Sequence, residues 1–191
     1  MEKNKDLTQN PWITKTNETV YESPWIRVSK RDVINPAGNP GLYSVVHFKN
    51  LAIGILALDK EYNLWLVGQF RYPIDEYSWE IPEGGGDLKV DPVESARREL
   101  KEEAGIVASS YREFQRLHLS NSATDEVAIT YLATGLSFEE SEPEESEVLQ
   151  IKKLHLDEAF NWCMQGKITD AISVAAILKA KWLYDKGLLE V

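Results

Sequence analysis

Glu99, Glu102 and Glu103 fall in one short stretch whose remaining residues favour a helix. On a helix, positions 99 and 103 share a face with their Cβ atoms about 5–6 Å apart, and 102 sits beside them at the three-residue spacing. Like charges so placed repel and destabilise the helix, so the spacing calls for a counter-charge. A carboxylate cluster that leaves room for water suits a hard divalent cation, Mg²⁺ or Mn²⁺. The competing reading is a solvated face on which Arg97, Arg98 and Lys101 neutralise the glutamates through i,i+4 pairs. Spacing alone leaves both readings open.

Other patterns carry less chemistry. Gly84-Gly85-Gly86 could suggest a phosphate-cradling loop, but no Gly-Lys-Ser/Thr follows, so a P-loop is ruled out. These glycines are expected to let the backbone turn tightly into the helix. Ser120 and Ser122 lack the Gly-x-Ser-x-Gly context of a hydrolytic serine, and His118 lies near them only through strand neighbourhood. His47, His118 and His155 have no cysteine partners that would make a zinc site and read as surface or partly buried strand residues. Residues 139–147 hold six glutamates, which in isolation read as a solvated loop.

The helix that carries the glutamates has clear ends. Asp91 is a good N-cap, Pro92 suits the first helical position, and Glu94 is placed to complete a capping box. The helix is expected to reach Ala104, with Gly105 as its left-handed terminator. Before it, residues 52–58 and 64–70 are near-continuous apolar runs, as for strands buried on both faces, joined by the polar turn Asp59-Lys60-Glu61-Tyr62-Asn63. Earlier still, residues 12–21, 25–35 and 41–48 read as strands of a small antiparallel sheet, with Pro36-Ala37-Gly38-Asn39-Pro40 as hairpin punctuation. After the helix come strands near 113–117, 126–132 and 148–154, then helices over about 156–165 and 169–185. This order implies a mixed sheet covered on both sides by helices.

The chain has 191 residues, 21 Lys and Arg against 31 Asp and Glu, and a formal net charge of −10. Its length suits one domain with a modest extension and a sizeable core. The charge disfavours nucleic-acid and anionic-membrane partners, and an anionic substrate would need a local reversal of sign. Cys163 is the only cysteine, so no disulfide can form within the chain. With no apolar run near the roughly 20 residues of a membrane span, a cytoplasmic protein is expected.

Taken together, Gly84, Arg98, Glu99, Leu100, Glu102, Glu103, Gly105 and Ile106 match the register G-x5-E-x7-R-E-U-x-E-E-x-G-U, with U apolar. The segment resembles the box of the Nudix hydrolases. One defined position departs, because Val90 stands where the pattern has its first Glu. The resemblance gives that Glu a role in orienting the helix, and Asp91 is the nearest substitute. Gln69-Phe70-Arg71-Tyr72-Pro73 and Trp79-Glu80-Ile81-Pro82-Glu83-Gly84 resemble the ADP-ribose and nucleoside-diphosphate-sugar pyrophosphatase branch, as does Gly166-Lys167-Ile168-Thr169-Asp170 before the last helix.

The resemblance implies a Nudix α/β/α sandwich with a mixed sheet and an N-terminal antiparallel β extension. Residues 1–50 would form the extension, serving dimerisation and substrate capping, and residues 51–191 the hydrolase domain. It implies metal held by Glu99, Glu102, Glu103 and the Glu83 carbonyl, and a general base in the acidic loop, Glu145 first and Glu147 second. Arg98 would orient the box glutamates. Arg71 and Glu80 would serve substrate binding, and Trp25 would stack on the base. At Leu119-Ser120-Asn121-Ser122, Asn121 replaces a proline of ADP-ribose-specific relatives and brings donors and an acceptor. The expected reaction is therefore cleavage of nucleoside-diphosphate sugars to a nucleoside monophosphate and a sugar phosphate by a Mg²⁺-dependent homodimer. Two alternatives stay open, an ADP-ribose-specific pyrophosphatase and a non-catalytic nucleotide-sugar binder.

Overall fold

The computed structural model describes residues 8–141 and 149–191. The chain forms two compact units, Met1–Lys49 with Ser120–Glu126, and Asn50–Leu119 with Val127–Val191.

In the first unit, β1 (Ile13–Thr14), β2 (Glu18–Glu22), β3 (Ile26–Ile34) and β4 (Pro40–Phe48) build an antiparallel sheet. β4 pairs with β3 from Ile26 to Ile34, so β1 and β2 share the opposite edge of β3 at its two ends. The single strand expected over residues 12–21 is thus two. Lys15 N and Thr16 N both donate to Asp32 O, and the Thr16 hydroxyl donates to the Asp32 carboxylate at 2.8 Å, which pins the chain between β1 and β2. The β3–β4 turn closes on Asn35, whose side-chain oxygen accepts from Ala37 N and Asn39 N, with Gly38 in the left-handed region at φ 86°. Only residues able to take that φ without strain suit such a position. Segment Ser120–Glu126 joins this sheet through Val46, which bonds to Ala123 and Asp125.

The second unit contains two sheets. β5 (Asn50–Ala57), β8 (Glu83–Asp87), β9 (Ile106–His118) and β10 (Val127–Phe138) form a mixed sheet in the order β8-β5-β10-β9, with β5 and β10 parallel. β6 (Asn63–Arg71), β7 (Glu76–Glu80) and β11 (Gln150–His155) form an antiparallel sheet in the order β11-β6-β7. The two apolar runs are strands, as their composition suggests. Yet β5 and β6 belong to different sheets, linked at their adjoining ends by the Leu58–Leu64 bridge. The turn between them is held by Asp59, which accepts from Glu61 N and Asn63 N.

Three helices complete the unit: α1 (Pro92–Ala104), α2 (Leu156–Met164) and α3 (Ala171–Asp185). Strand alternation divides the core. Ile53, Ile55, Ala57 and Trp65 pack with Ala96 and Leu100 of α1, whereas Leu56, Leu58, Leu64 and Leu66 pack with Leu156, Ile172 and Ile177 of α2 and α3. Gly54 is required where α3 presses closest, since a Cβ there would sit 2.7 Å from Ile172. The result is an α/β/α sandwich with mixed pairing.

Candidate active site

α1 is shaped by its own ends. The Asp91 side chain accepts from Val93 N at 3.1 Å, Pro92 opens the helix, and Gly105 closes it at φ 63° with its N–H on Lys101 O. Glu94 forms an i,i+3 pair with Arg97. Asp91 is therefore occupied as a cap, and Val90 is exposed in the turn before it. That turn lies later than the glycines suggest. Gly84, Gly85 and Gly86 are in extended strand β8, paired with Ile53, Ala52 and Leu51 of β5, and none has a positive φ. Their smallness serves packing: a Cβ on Gly84 would overlap the Glu99 carboxylate, and one on Gly86 would press on Ile53 at 2.8 Å.

With β8 against α1, the carboxylates gather. Glu103, only 2% exposed, accepts the backbone N–H of Glu83 at 2.9 Å. Glu99, 7% exposed, lies on Gly84 and takes a bond from Arg98 Nη2 at 2.5 Å. Arg98 also donates to Glu102 at 2.6 Å and to the Gly85 carbonyl at 3.0 Å, tying the helix face to the strand. From the other side, Arg71 at the end of β6 forks onto buried Glu80 of β7 and reaches Glu83 Oε1 at 3.0 Å. One buried oxygen of this set, Glu83 Oε2, has no hydrogen-bond partner.

Electrostatics follow from this crowding. Burial, then the like charges of Asp170 and Glu80, push the Glu83 carboxyl well above its ordinary range, with Arg71 opposing and Glu103 adding to the rise. Burial works against the charge of Arg71, but the bond and charge of Glu80, with Glu83 and Glu103, hold its pKa above the ordinary value. Arg98 is likewise stabilised as a cation by Glu99 and Glu102 against the effect of burial. Asp170 has no place in a box-centred reading of the sequence. It caps α3 by accepting from Ser173 N at 2.7 Å, and the Ser173 hydroxyl accepts Ile81 N at 2.9 Å, stapling α3 to the segment between Glu80 and Glu83. In the sequence Asp170 stands out only as the end of the Gly166–Asp170 segment before the last helix.

Arg71, Glu80, Glu83, Arg98, Glu99, Glu102 and Glu103 thus come together in the second unit. Among the described residues, no group of three His, Cys, Asp or Glu is gathered closely enough to hold a metal ion as it stands, and Arg71 and Arg98 lie on the carboxylates. The donor set nevertheless fits a hard divalent cation: it is all oxygen, it is crowded with like charge, and it includes the orphaned Glu83 Oε2. Trp25, 68% exposed, and Asn121, exposed in its turn, belong to the first unit. Glu145 and Glu147 lie outside the described residues.

The family model of the NUDIX domain matches residues 48–173. An ADP-ribose pyrophosphatase of Mycobacterium tuberculosis is 30% identical over 177 residues, which cover 90% of this chain and 84% of that protein. An ADP-ribose pyrophosphatase of Bacillus subtilis and a methanol dehydrogenase activator of Bacillus methanolicus are each 28% identical over 166 residues, 86% of this chain and 89% of theirs. A solved structure described as an ADP compounds hydrolase superposes with a TM-score of 0.83 over 94% of this chain and 98% of that one; at 22% identity it speaks for the fold. With its box residues assembled on α1 and β8 and the family model spanning most of its length, the chain belongs to the Nudix family and is a hydrolase of diphosphate bonds.

Proposed function

We propose that the protein is a metal-dependent pyrophosphohydrolase that cleaves nucleoside-diphosphate sugars to a nucleoside monophosphate and a sugar phosphate. The observation that carries this reading is the convergence of Glu83, Glu99, Glu102 and Glu103 at the β8–α1 contact, with Gly84 leaving space for the Glu99 carboxylate. Mg²⁺ or Mn²⁺ held by these residues would neutralise the diphosphate and supply the reversal of sign that a chain of net charge −10 needs for an anionic substrate. Arg98 fixes Glu99 and Glu102 relative to β8, and Arg71 fixes Glu80 and Glu83, so both arginines act first by positioning carboxylates. Glu145, or failing that Glu147, takes the proton of the attacking water.

An ADP-ribose-specific reading is favoured by the names of the Mycobacterium tuberculosis and Bacillus subtilis relatives. The broader reading rests on Asn121 in place of a proline. The deciding experiment is kcat/KM for ADP-ribose, ADP-glucose, GDP-mannose and UDP-glucose under one metal condition. Turnover of several sugars supports the broad reading, and a preference for ADP-ribose above about 10²-fold replaces it with the narrow one. Absence of turnover with either metal would leave a nucleotide-sugar binder.

The same proposal includes a cytoplasmic homodimer that uses residues 1–50. Trp12, Val20, Tyr21, Trp25 and Leu42 are exposed on the first unit, while Ile26 and Val28 are drawn further into its sheet. A cluster of exposed large apolar side chains favours an interface. A sedimentation mass near the single-chain 21.7 kDa would remove the dimer.

A further inference from the structure

β7 and β8 lie in different sheets, and only Ile81 and Pro82 join them. Pro82 has no N–H, so the segment Ile81-Pro82-Glu83 has two backbone donors, and each is taken by a side chain from a different helix. Ile81 N donates to Ser173 Oγ of α3 at 2.9 Å, across 92 residues of sequence, and Glu83 N donates to Glu103 of α1 at 2.9 Å. Between them the Pro82 carbonyl accepts from Ile55 N of β5 at 2.8 Å. Three consecutive residues are thus fixed by three separate elements.

The anchor on α3 sits in the dry core. Ser173 and Ile81 are both 0% exposed, and Ile81 rests with Ile172 against Gly54, where a Cβ would lie 3.1 and 2.7 Å from them. Asp170 fixes the first turn of α3 by accepting Ser173 N. A buried hydroxyl is tolerated where it is bonded, and the Ile81 amide has no solvent to turn to in its place. The consequence reaches the carboxylates on either side. Arg71 spans the link, bonded to Glu80 before it and to Glu83 after it, so the spacing of those two carboxylates follows the course of residues 81–82. The Glu103 carboxylate has to serve both Glu83 N and a cation, whereas the Ser173 hydroxyl is uncharged and its hold does not depend on the state of the carboxylates.

We propose that Ser173 is a positioning residue for the metal-binding segment: through Ile81 N it sets where Glu83 stands relative to Glu99 and Glu103. The inference rests on the metal-dependent reading proposed above. A bond that serves stability alone would lower the melting temperature and nothing else. A positioning bond also weakens metal binding, because groups that orient ligands carry roughly 10–100-fold of metal affinity or activity.

Mn²⁺ titration of the full chain followed by electron paramagnetic resonance tests this, with thermal melts and with kcat and KM for ADP-ribose at saturating Mg²⁺. Ser173→Ala should weaken Mn²⁺ by about tenfold and lower kcat more than it raises KM. Ser173→Cys keeps the volume with a weaker acceptor and should lose about threefold or more, which keeps the test decisive if Ser173→Ala does not fold. Ile177→Val, a core change on the same helix, should lower the melting temperature and leave Mn²⁺ affinity unchanged. Parent-like Mn²⁺ affinity in folded Ser173→Ala, or in Ser173→Cys where the alanine variant does not fold, would overturn the assignment, as would an equal loss in Ile177→Val. Glu103→Gln, measured alongside, keeps the two questions apart. Loss of Mn²⁺ there with none at Ser173 overturns the positioning role and leaves the metal reading standing, whereas no saturable Mn²⁺ binding by the parent chain removes both.

Discussion

The carboxylate of Glu99 lies against the Cα of Gly84, in space that any side chain there would occupy. Gly84→Ala must therefore displace Glu99 or separate β8 from α1. We expect a loss of about 10²-fold in kcat, the scale of a misplaced reacting group, with destabilisation of about 1–3 kcal/mol from overpacking. Metal-supported turnover and a thermal melt measure the two effects. Full activity in a folded Gly84→Ala protein would show that Glu99 has no part in the chemistry.

Glu103 combines near-complete burial with a bond to the Glu83 backbone. Glu103→Gln preserves shape and one acceptor but removes charge, so kcat should fall by about 10²-fold or more while the melt shows a folded protein. Mn²⁺ affinity, read by electron paramagnetic resonance, should weaken in parallel. A near-normal rate would exclude Glu103 from the metal set.

With Glu145 as the proposed base, Glu145→Gln should lower kcat more than it raises KM, since a general base acts on water in the transition state. Damage from Glu147→Gln with a silent Glu145→Gln moves the base two residues along. Silence in both reduces the loop to a solvated acidic run.

Burial pushes the Cys163 thiol up to about 11 from its ordinary 9.0, only partly offset by a backbone hydrogen bond. Because the folded value is raised, the stabilisation it represents is intact below about pH 9 and is lost as pH rises towards 11. Thiol labelling of the folded protein should stay slow at about pH 8–9, below the raised value, and Cys163→Ala should flatten part of the alkaline fall in stability. Rapid labelling in that range would contradict this burial.

α1 was legible because its determinants are local: a capping Asp91, Pro92 at the first turn, a left-handed Gly105, and glutamates at helical spacing. The family resemblance was carried by Gly84, Arg98, Glu99, Leu100, Glu102, Glu103, Gly105 and Ile106, most of them on or beside this helix. Strands β7 and β8 were not legible, since the triple glycine of β8 carries no strand pattern and owes its place to pairing with β5 and contact with Glu99. Nor could local sequence announce that β5 and β6 enter different sheets. The Arg71–Glu83 and Glu83–Glu103 bonds span 12 and 20 residues, and Arg31 meets His47 across 16. Spacing on one helix turns a sequence into a face directly, whereas these contacts exist only once strand register and packing have brought distant segments within hydrogen-bond reach. The sequence by itself therefore determined the helix, its carboxylates and the family, and the tertiary structure decided which charges meet.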